Sequence, residues 1–402
     1  MHCTRKLTED LIYIGGSDRR LARFENMYPL PNGVSYNAYF LDDEKIAILD
    51  TVDRAVEERY LENIAFLLQG RTPDYVIVNH MEPDHCASLG ALCARYPSLQ
   101  IVCTAKAAAL IAQFFDEALA SRCITVKDGD TLALGRHTLS FYTAPMVHWP
   151  EVMVTYDACD RVLFSADAFG TFGALGGALF ADETGFDGAA FSEARRYYTN
   201  IVGKYGPQVL ALLKKAEALD IRLICPLHGP VWRRDLDRLV GAYRTWASYA
   251  PEEAGVLIVY GSIYGGTQNA AEILASRLAD RGVTNLAVYD VSATDLSYLV
   301  AEAFRYSHLV FAASTYNNAI FTPMETLLLD LQAHALKNRT VATMENGSWA
   351  PQSGKKMREL LAAMPGNTLL EETVSLRSTV KENNLPDIDA LAGAIADSLQ
   401  NA

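Results

Sequence analysis

At 402 residues, half of them hydrophobic and 21% charged, the chain is longer than one ordinary core organises and points to two domains. A formal net charge of −13 argues against nucleic acid as a partner, and seven scattered cysteines without a C-x-x-C pair exclude a rubredoxin-like or zinc-ribbon module and predict reduced thiols. No apolar run reaches the roughly 18 residues of a membrane span, and Met1 to Lys6 lacks the apolar core of a signal peptide, so no membrane partner and a cytoplasmic location are expected.

In chain order, Ser35 to Leu41 and Ile46 to Leu49 flank the charged turn Asp42-Asp43-Glu44-Lys45, a hairpin pattern. Helical spacing runs from Ala55 to Leu68. The β-branched run Tyr75 to Val78 then predicts a buried strand, and Ala87 to Arg95 a helix. Short strands are expected at Ile101 to Cys103, Leu139 to Tyr142, Val152 to Thr155 and Val162 to Phe164. Helices are expected at Lys106 to Phe115, Phe191 to Val202 and Gln208 to Leu219. Strand pairs with helices between them indicate an α/β layered sandwich over residues 1–250.

The stretch His80-Met81-Glu82-Pro83-Asp84-His85 organises this first domain. Two nitrogens and two carboxylates packed past a strand end shift one another's pKa unless a cation joins them. The plainer reading is a polar loop capping a helix through Asp84. Three later residues weigh against it. His148, Asp167 and His228 each lie just beyond an apolar strand, where side chains converge on one sandwich edge. The other four histidines, His2, His137, His308 and His334, have no such context and read as surface or satisfied core.

Around Tyr249-Ala250-Pro251-Glu252-Glu253 the pattern breaks and a second domain, 254–402, begins. Strands at Val256 to Tyr260, Leu286 to Tyr289, Leu309 to Ala313, Thr340 to Thr343 and Thr368 to Glu371 alternate with helices starting at Gln268, Leu296, Pro323, Gly354 and Asp387. Such alternation indicates a doubly wound parallel sheet, whose ligands bind beyond the C-terminal strand ends. The loop Ser262-Ile263-Tyr264-Gly265-Gly266-Thr267 opens a helix and suits a phosphate monoester held by backbone N–H groups without a lysine. Ser314-Thr315-Tyr316-Asn317-Asn318 and Glu345-Asn346-Gly347-Ser348-Trp349-Ala350 bring aromatic faces and amides to the same edge, suited to a flat heterocycle.

The run His80-x-Glu82-x-Asp84-His85 with His148, Asp167 and His228 resembles the metal motif of the metallo-β-lactamase superfamily. Glutamate at the second position, where most of its hydrolases have histidine, resembles the flavodiiron branch. The added carboxylate also shifts preference from zinc toward harder metals. The three later loops resemble the FMN site of flavodoxins, although Trp349 directly follows Ser348 where many flavodiiron members interpose residues. The resemblance spans nearly the whole chain. It implies a metallo-β-lactamase-like αββα domain followed by a flavodoxin-like domain. One iron would take His80, Glu82 and His148, the other Asp84, His85 and His228, with Asp167 bridging. A nearby tyrosine, Tyr197 or Tyr198, is implied too, though helix packing is the plainer reading of both. The family reduces O2 to water, NO to N2O, or both, with electrons relayed through FMN from an external donor such as rubredoxin or a reduced deazaflavin. Its members pair head to tail, so a homodimer or a dimer of dimers is expected. Two alternatives have different chemistry: a zinc hydrolase with an appended flavodoxin module, and a flavin electron carrier or redox sensor that is no enzyme.

Overall fold

The computed structural model describes residues 2–184 and 188–401. It divides into two compact units, Met1–Arg244 and Thr245–Ala402.

The core of the first unit lies between two sheets. One runs Arg5–Lys6, Leu11–Tyr13, Tyr39–Leu41, Ala47–Leu49, Tyr75–Ile77, Gln100–Thr104 and Cys123–Val126 in spatial order. The other runs Thr131–Ala133, Thr138–Thr143, Met153–Asp157, Val162–Phe164 and Leu223–Cys225. Tyr39, Leu49, Ile77 and Val102 of the first sheet pack with Phe141, Met153 and Phe164 of the second. Strand residues of the opposite parity, Ile48, Val76 and Ile101, are also fully buried. They need cover on their other side, and helix Glu57–Leu68 buries Tyr60, Ile64 and Leu68. This is the expected αββα sandwich.

Local departures from the sequence pattern have physical causes. Residues 35–41 do not form one strand. Val34–Tyr36 pairs with Gly16–Asp18 and Tyr39–Leu41 with Ala47–Leu49. Between them Asn37 spends its side-chain amide on the carbonyls of Pro226 and Gly229, each at 2.8 Å. The helix expected at Ala87 to Arg95 is preceded by a separate turn, Pro83–Cys86, and begins at Leu89. The helix expected to reach Val202 is α-helical over Ala189–Tyr197 and widens to a π-turn at Tyr198–Val202, a deviation often found near functional sites.

In the second unit the parallel sheet has spatial order Leu286–Asp290, Glu253–Gly261, Tyr306–Tyr316, Thr340–Asn346 and Thr368–Leu376. The first and second strands in sequence are therefore exchanged, as in the flavodoxin order. Alternate strand residues feed two cores. Leu257, Val259, Leu309 and Phe311 pack with Leu299, Phe304, Met324 and Leu328 on one face. Val256, Ile258, Val310 and Ala342 pack with Leu274, Leu278, Leu391 and Ile395 on the other. Arg339, only 1% exposed, donates to the backbone carbonyls of Tyr249, Ala303, Phe304, Lys337 and Asn338.

Candidate metal centre and cofactor cavity

The strand Tyr75–Ile77 lies between parallel neighbours Ala47–Leu49 and Gln100–Thr104, so its C-terminal end is held on both sides. Asn79 then fixes the chain entering His80. Its backbone N–H and side-chain amide both donate to Asp50 at 2.7 Å, and its own side-chain oxygen accepts from Thr155 Oγ1 at 2.7 Å. Pro83 occupies the first helical turn, and Glu82 precedes it in extended backbone without capping the turn. The Glu82 carboxylate thus stays available to ligands. Asp167 and His228 follow the parallel pair Val162–Phe164 and Leu223–Cys225 on the other sheet.

Four side chains meet at one point. His80 Nε2 lies 3.3 Å from Glu82 Oε2 and 3.5 Å from Asp167 Oδ2; His148 Nε2 lies 3.0 and 3.2 Å from the same two oxygens. Beside them, His228 Nε2 is 3.2 Å from Asp84 Oδ2 and 3.0 Å from His85 Nε2. Asp167 faces both groups, because its Oδ1 lies 3.1 Å from His85 Nε2 and 3.7 Å from His228 Nε2. All seven residues singled out from the sequence are thereby brought together.

The donor set fits metal ions. Ligands held about 2.0–2.2 Å from an ion sit about 3 Å apart, the spacing seen here. Both oxygens of Asp84 and Oδ1 of Asp167 are buried without a hydrogen-bond partner. Electrostatics point the same way. Burial pulls the His148 pKa down, but Asp167 and Glu82 outweigh it and lift it to about 9. His80 is likewise held well above its ordinary value by Glu151, Glu82 and Asp167 against burial. Against burial, His85, His148 and His80 hold Asp167 well below the usual carboxylate range. Carboxylates that draw protons onto imidazoles this strongly also draw divalent cations, which displace those protons.

Two residues at this site, Glu151 and Glu25, escaped sequence reasoning. Glu151 accepts from His80 Nδ1 at 2.8 Å and from the Met81 N–H at 2.9 Å. Its only signal was a carboxylate three residues after His148. The side chain of Glu25 reaches Glu82; desolvation and that neighbouring carboxylate raise its pKa to about 8. Tyr197 packs its ring 5.4 Å from that of His228, with its hydroxyl buried and unpartnered, whereas Tyr198 packs on Tyr243. Packing is therefore the role of Tyr198, while Tyr197 touches the site.

The remaining histidines are accounted for. His2 stacks on Phe66, His308 bonds Ser307 and Ser398, and His334 bonds Asp330. His137 is buried between Asp157 (2.9 Å) and Asp10 (3.2 Å). With Cys159 and Asp160 it forms a third group of possible ligands. There Arg136 Nη2 stands 2.6 Å from Asp10 and 3.5 Å from Asp160, so the positive charge is already supplied.

In the second unit a cavity of about 470 Å³ opens at the C-terminal strand ends. It is lined by Ser262, Ile263, Tyr264, Gly266, Ser314, Thr315, Tyr316, Asn317, Asn318, Asn346, Gly347, Ser348 and Trp349, all expected, by Ala350 at the end of the third expected loop, and by Ser378 and Thr379, which were not expected. Two residues of the first expected loop do not line it. Gly265 takes a left-handed conformation (φ 86°) that turns the chain into helix Gly266–Asp280. Thr267 is buried, its hydroxyl 2.9 Å from Ser314 Oγ. Thr315 and Asn346 line the cavity but have their polar groups engaged. The Thr315 hydroxyl accepts from the N–H groups of Gln352 and Ser353, and the Asn346 amide pairs with both backbone groups of Ser378. Helix Gly266–Asp280 starts at the cavity wall with Gly265 as its cap residue, which has no side chain to cap it, and a helix N-terminus so placed suits an anion. Tyr264 and Trp349, 98% and 87% exposed, and half-exposed Tyr316 leave ring faces for a flat heterocycle. The cavity fits a phosphorylated flavin.

An αββα sandwich carrying a two-metal donor set, joined in one chain to a flavodoxin-like unit, defines a two-domain redox flavoprotein. Residues 34–229 match the family described as ODP family beta lactamase. The anaerobic nitric oxide reductase flavorubredoxin of Citrobacter koseri is 30% identical over 387 residues, covering 94% of this chain and 77% of that one. The nitric oxide reductase of Moorella thermoacetica is 29% identical and covers 89% of both. The rubredoxin oxygen:oxidoreductase structure from Desulfovibrio gigas superposes with a TM-score of 0.90 at 27% identity, over 99% of each chain. The chain belongs to the flavodiiron proteins. It is an oxidoreductase, and FMN and a di-iron centre are its cofactors. Among the described residues no helix is long and apolar enough to cross a membrane.

Proposed function

We propose that this protein reduces O2 to water, NO to N2O, or both, taking electrons from an external donor such as rubredoxin or a reduced deazaflavin. One observation carries the reading: the two oxygens of Asp167 address two separate ligand groups, Oδ2 at 3.2 Å from His148 Nε2 and Oδ1 at 3.1 Å from His85 Nε2. His80, Glu82 and His148 would hold one iron, Asp84, His85 and His228 the other, with Asp167 between them. Bound there, the irons supply a Lewis-acid, redox-active pair, and FMN supplies a relay that passes electrons singly.

The chain's own residues prepare that chemistry. Ser35 O accepts from His228 Nδ1 at 2.8 Å and so turns Nε2 toward the ligand group. His80, Asp167 and His228 are fully buried, which keeps bulk water from the reacting centre. In the second unit the uncapped helix end at Gly266 would hold the FMN phosphate. The loops at Ser314–Asn318 and Asn346–Trp349, with Ser378 and Thr379, would surround the ring. We place the metal domain within Met1–Arg244 and the flavin domain within Thr245–Ala402, a boundary a few residues earlier than the sequence pattern indicates, in a cytoplasmic head-to-tail homodimer or dimer of dimers.

The test is anaerobic reduction of protein of known iron and flavin content, then stopped-flow mixing with O2 and with NO separately. Flavin oxidation by either gas, fast in iron-loaded protein and slow in zinc-loaded protein, is expected. Equal rates in the two forms would overturn the reading.

A further inference from the structure

Three of the four imidazoles of the ligand groups differ in what supports them behind the metal side. His80 Nδ1 donates to a carboxylate oxygen, Glu151 Oε1, at 2.8 Å. His228 Nδ1 donates to a neutral carbonyl, Ser35 O, at 2.8 Å. His85 Nδ1 is buried with no hydrogen-bond partner among the described residues. Glu151 is 1% exposed and doubly anchored: its Oε1 also accepts the Met81 N–H at 2.9 Å, and its backbone carbonyl accepts from Thr104 Oγ1 at 2.9 Å. Its second oxygen, Oε2, is buried and unpartnered. Among the described residues, His80 is thus the side chain that this carboxylate bonds, beside the Met81 N–H.

An anion behind an imidazole fixes its tautomer and orientation and makes the ligating nitrogen a stronger base; a carbonyl does so less. Given the two-metal reading above, on which this rests, we propose that Glu151 is a positioning residue that makes the two metal positions unequal. It holds His80 with Nε2 toward the ion and strengthens that donor. The position of His80, Glu82 and His148 then retains its ion longer than the position of Asp84, His85 and His228.

The experiment follows iron release from the FMN-loaded holoprotein into excess ferrous chelator under anaerobic conditions. Wild type is expected to release iron in two phases. Glu151→Gln keeps the side-chain shape but removes the charge. It should accelerate the slower phase roughly 10- to 100-fold, the usual effect of losing such a partner on metal affinity, with the faster phase and FMN content unchanged. Glu151→Asp keeps the charge but is too short to span both donors, and should accelerate the same phase less than Gln. Single-phase release from wild type would overturn the inference. So would a slow phase unchanged in Glu151→Gln, or acceleration of the faster phase alone. Repeating the release with zinc-loaded protein separates the inference from the activity. Two zinc phases, the slower one sensitive to Glu151→Gln, would support the positioning role even in a protein that reduces neither gas.

Discussion

Gly266→Ala tests the flavin cavity with a single methyl group. A Cβ at this position would lie 2.1 Å from the Ser378 carbonyl oxygen and 3.0 Å from Asn346 Nδ2. To restore ordinary contact at 3.4 Å, the Ser378 backbone must retreat by about 1.3 Å. That displacement breaks the two hydrogen bonds by which Asn346 holds Ser378, at 2.9 and 3.0 Å. At about 0.5–1.5 kcal/mol each, their loss disorders the cavity wall at a cost of about 1–3 kcal/mol, a roughly 5- to 150-fold weaker FMN affinity. Alanine is a good helix former, so the helix itself should not suffer. Titrating apoprotein with FMN and following flavin fluorescence gives the dissociation constant, with iron content as the control for the first unit. An affinity within twofold of wild type would show that Ser378 does not shape the site.

Glu82→His should shift metal selection toward zinc and lower gas-dependent flavin oxidation at least tenfold; unchanged iron content and turnover would remove Glu82 from the ligand set. A stability effect is expected at His137, whose pKa burial lowers but Asp157 and Asp10 raise to about 9. Its unfolded value is about 6.5, so the pairing stabilises fully below pH about 6.5 and is lost as pH rises through about 9. The melting-temperature gap between wild type and His137→Gln should therefore narrow from pH 6 to pH 9.5, and a constant gap would contradict this. Assembly is tested by mixing a metal-dead variant, His80→Ala with Asp84→Ala, with a flavin-dead Gly266→Glu, which puts a carboxylate at the cavity-lining start of the helix. In a head-to-tail dimer, subunit exchange restores one intact cross-chain site and measurable activity. No recovery despite demonstrated heterodimers would place electron flow within one chain.

The parts legible in the sequence were those written in short-range patterns. β-Branched runs announced the strands before His80 and Asp167, and strand–helix alternation announced the parallel sheet. Ligand types and spacing carried the metal site because a chelating set constrains residue identity as well as position. What escaped depends on distant or idiosyncratic contacts. Ser378 reaches the cavity only because Asn346 pins it across adjacent strands, and nothing in Arg377-Ser378-Thr379 advertises that. Thr267 has the composition of a phosphate contact, yet its hydroxyl is turned to Ser314. Strands of two residues, such as Arg5–Lys6 and Arg23–Phe24, are too short for any periodicity to register.

The buried guanidinium of Arg339 has a consequence for dissecting the chain. One of its acceptors, Tyr249 O at 2.8 Å, lies ahead of the first strand of the parallel sheet. The same residue lends its ring to the core beside Phe304, with Lys337 Nζ 4.3 Å above it. A fragment expressed from Glu253 would keep every strand of that sheet, yet leave a buried cation short of an acceptor and a hole beside Phe304. Between Trp246 and Glu252, whose side chains bond at 2.8 Å, the residues that look like a tether act as the plug that closes the bottom of the flavin unit. An autonomous flavin unit therefore has to carry its own leader, beginning ahead of Trp246.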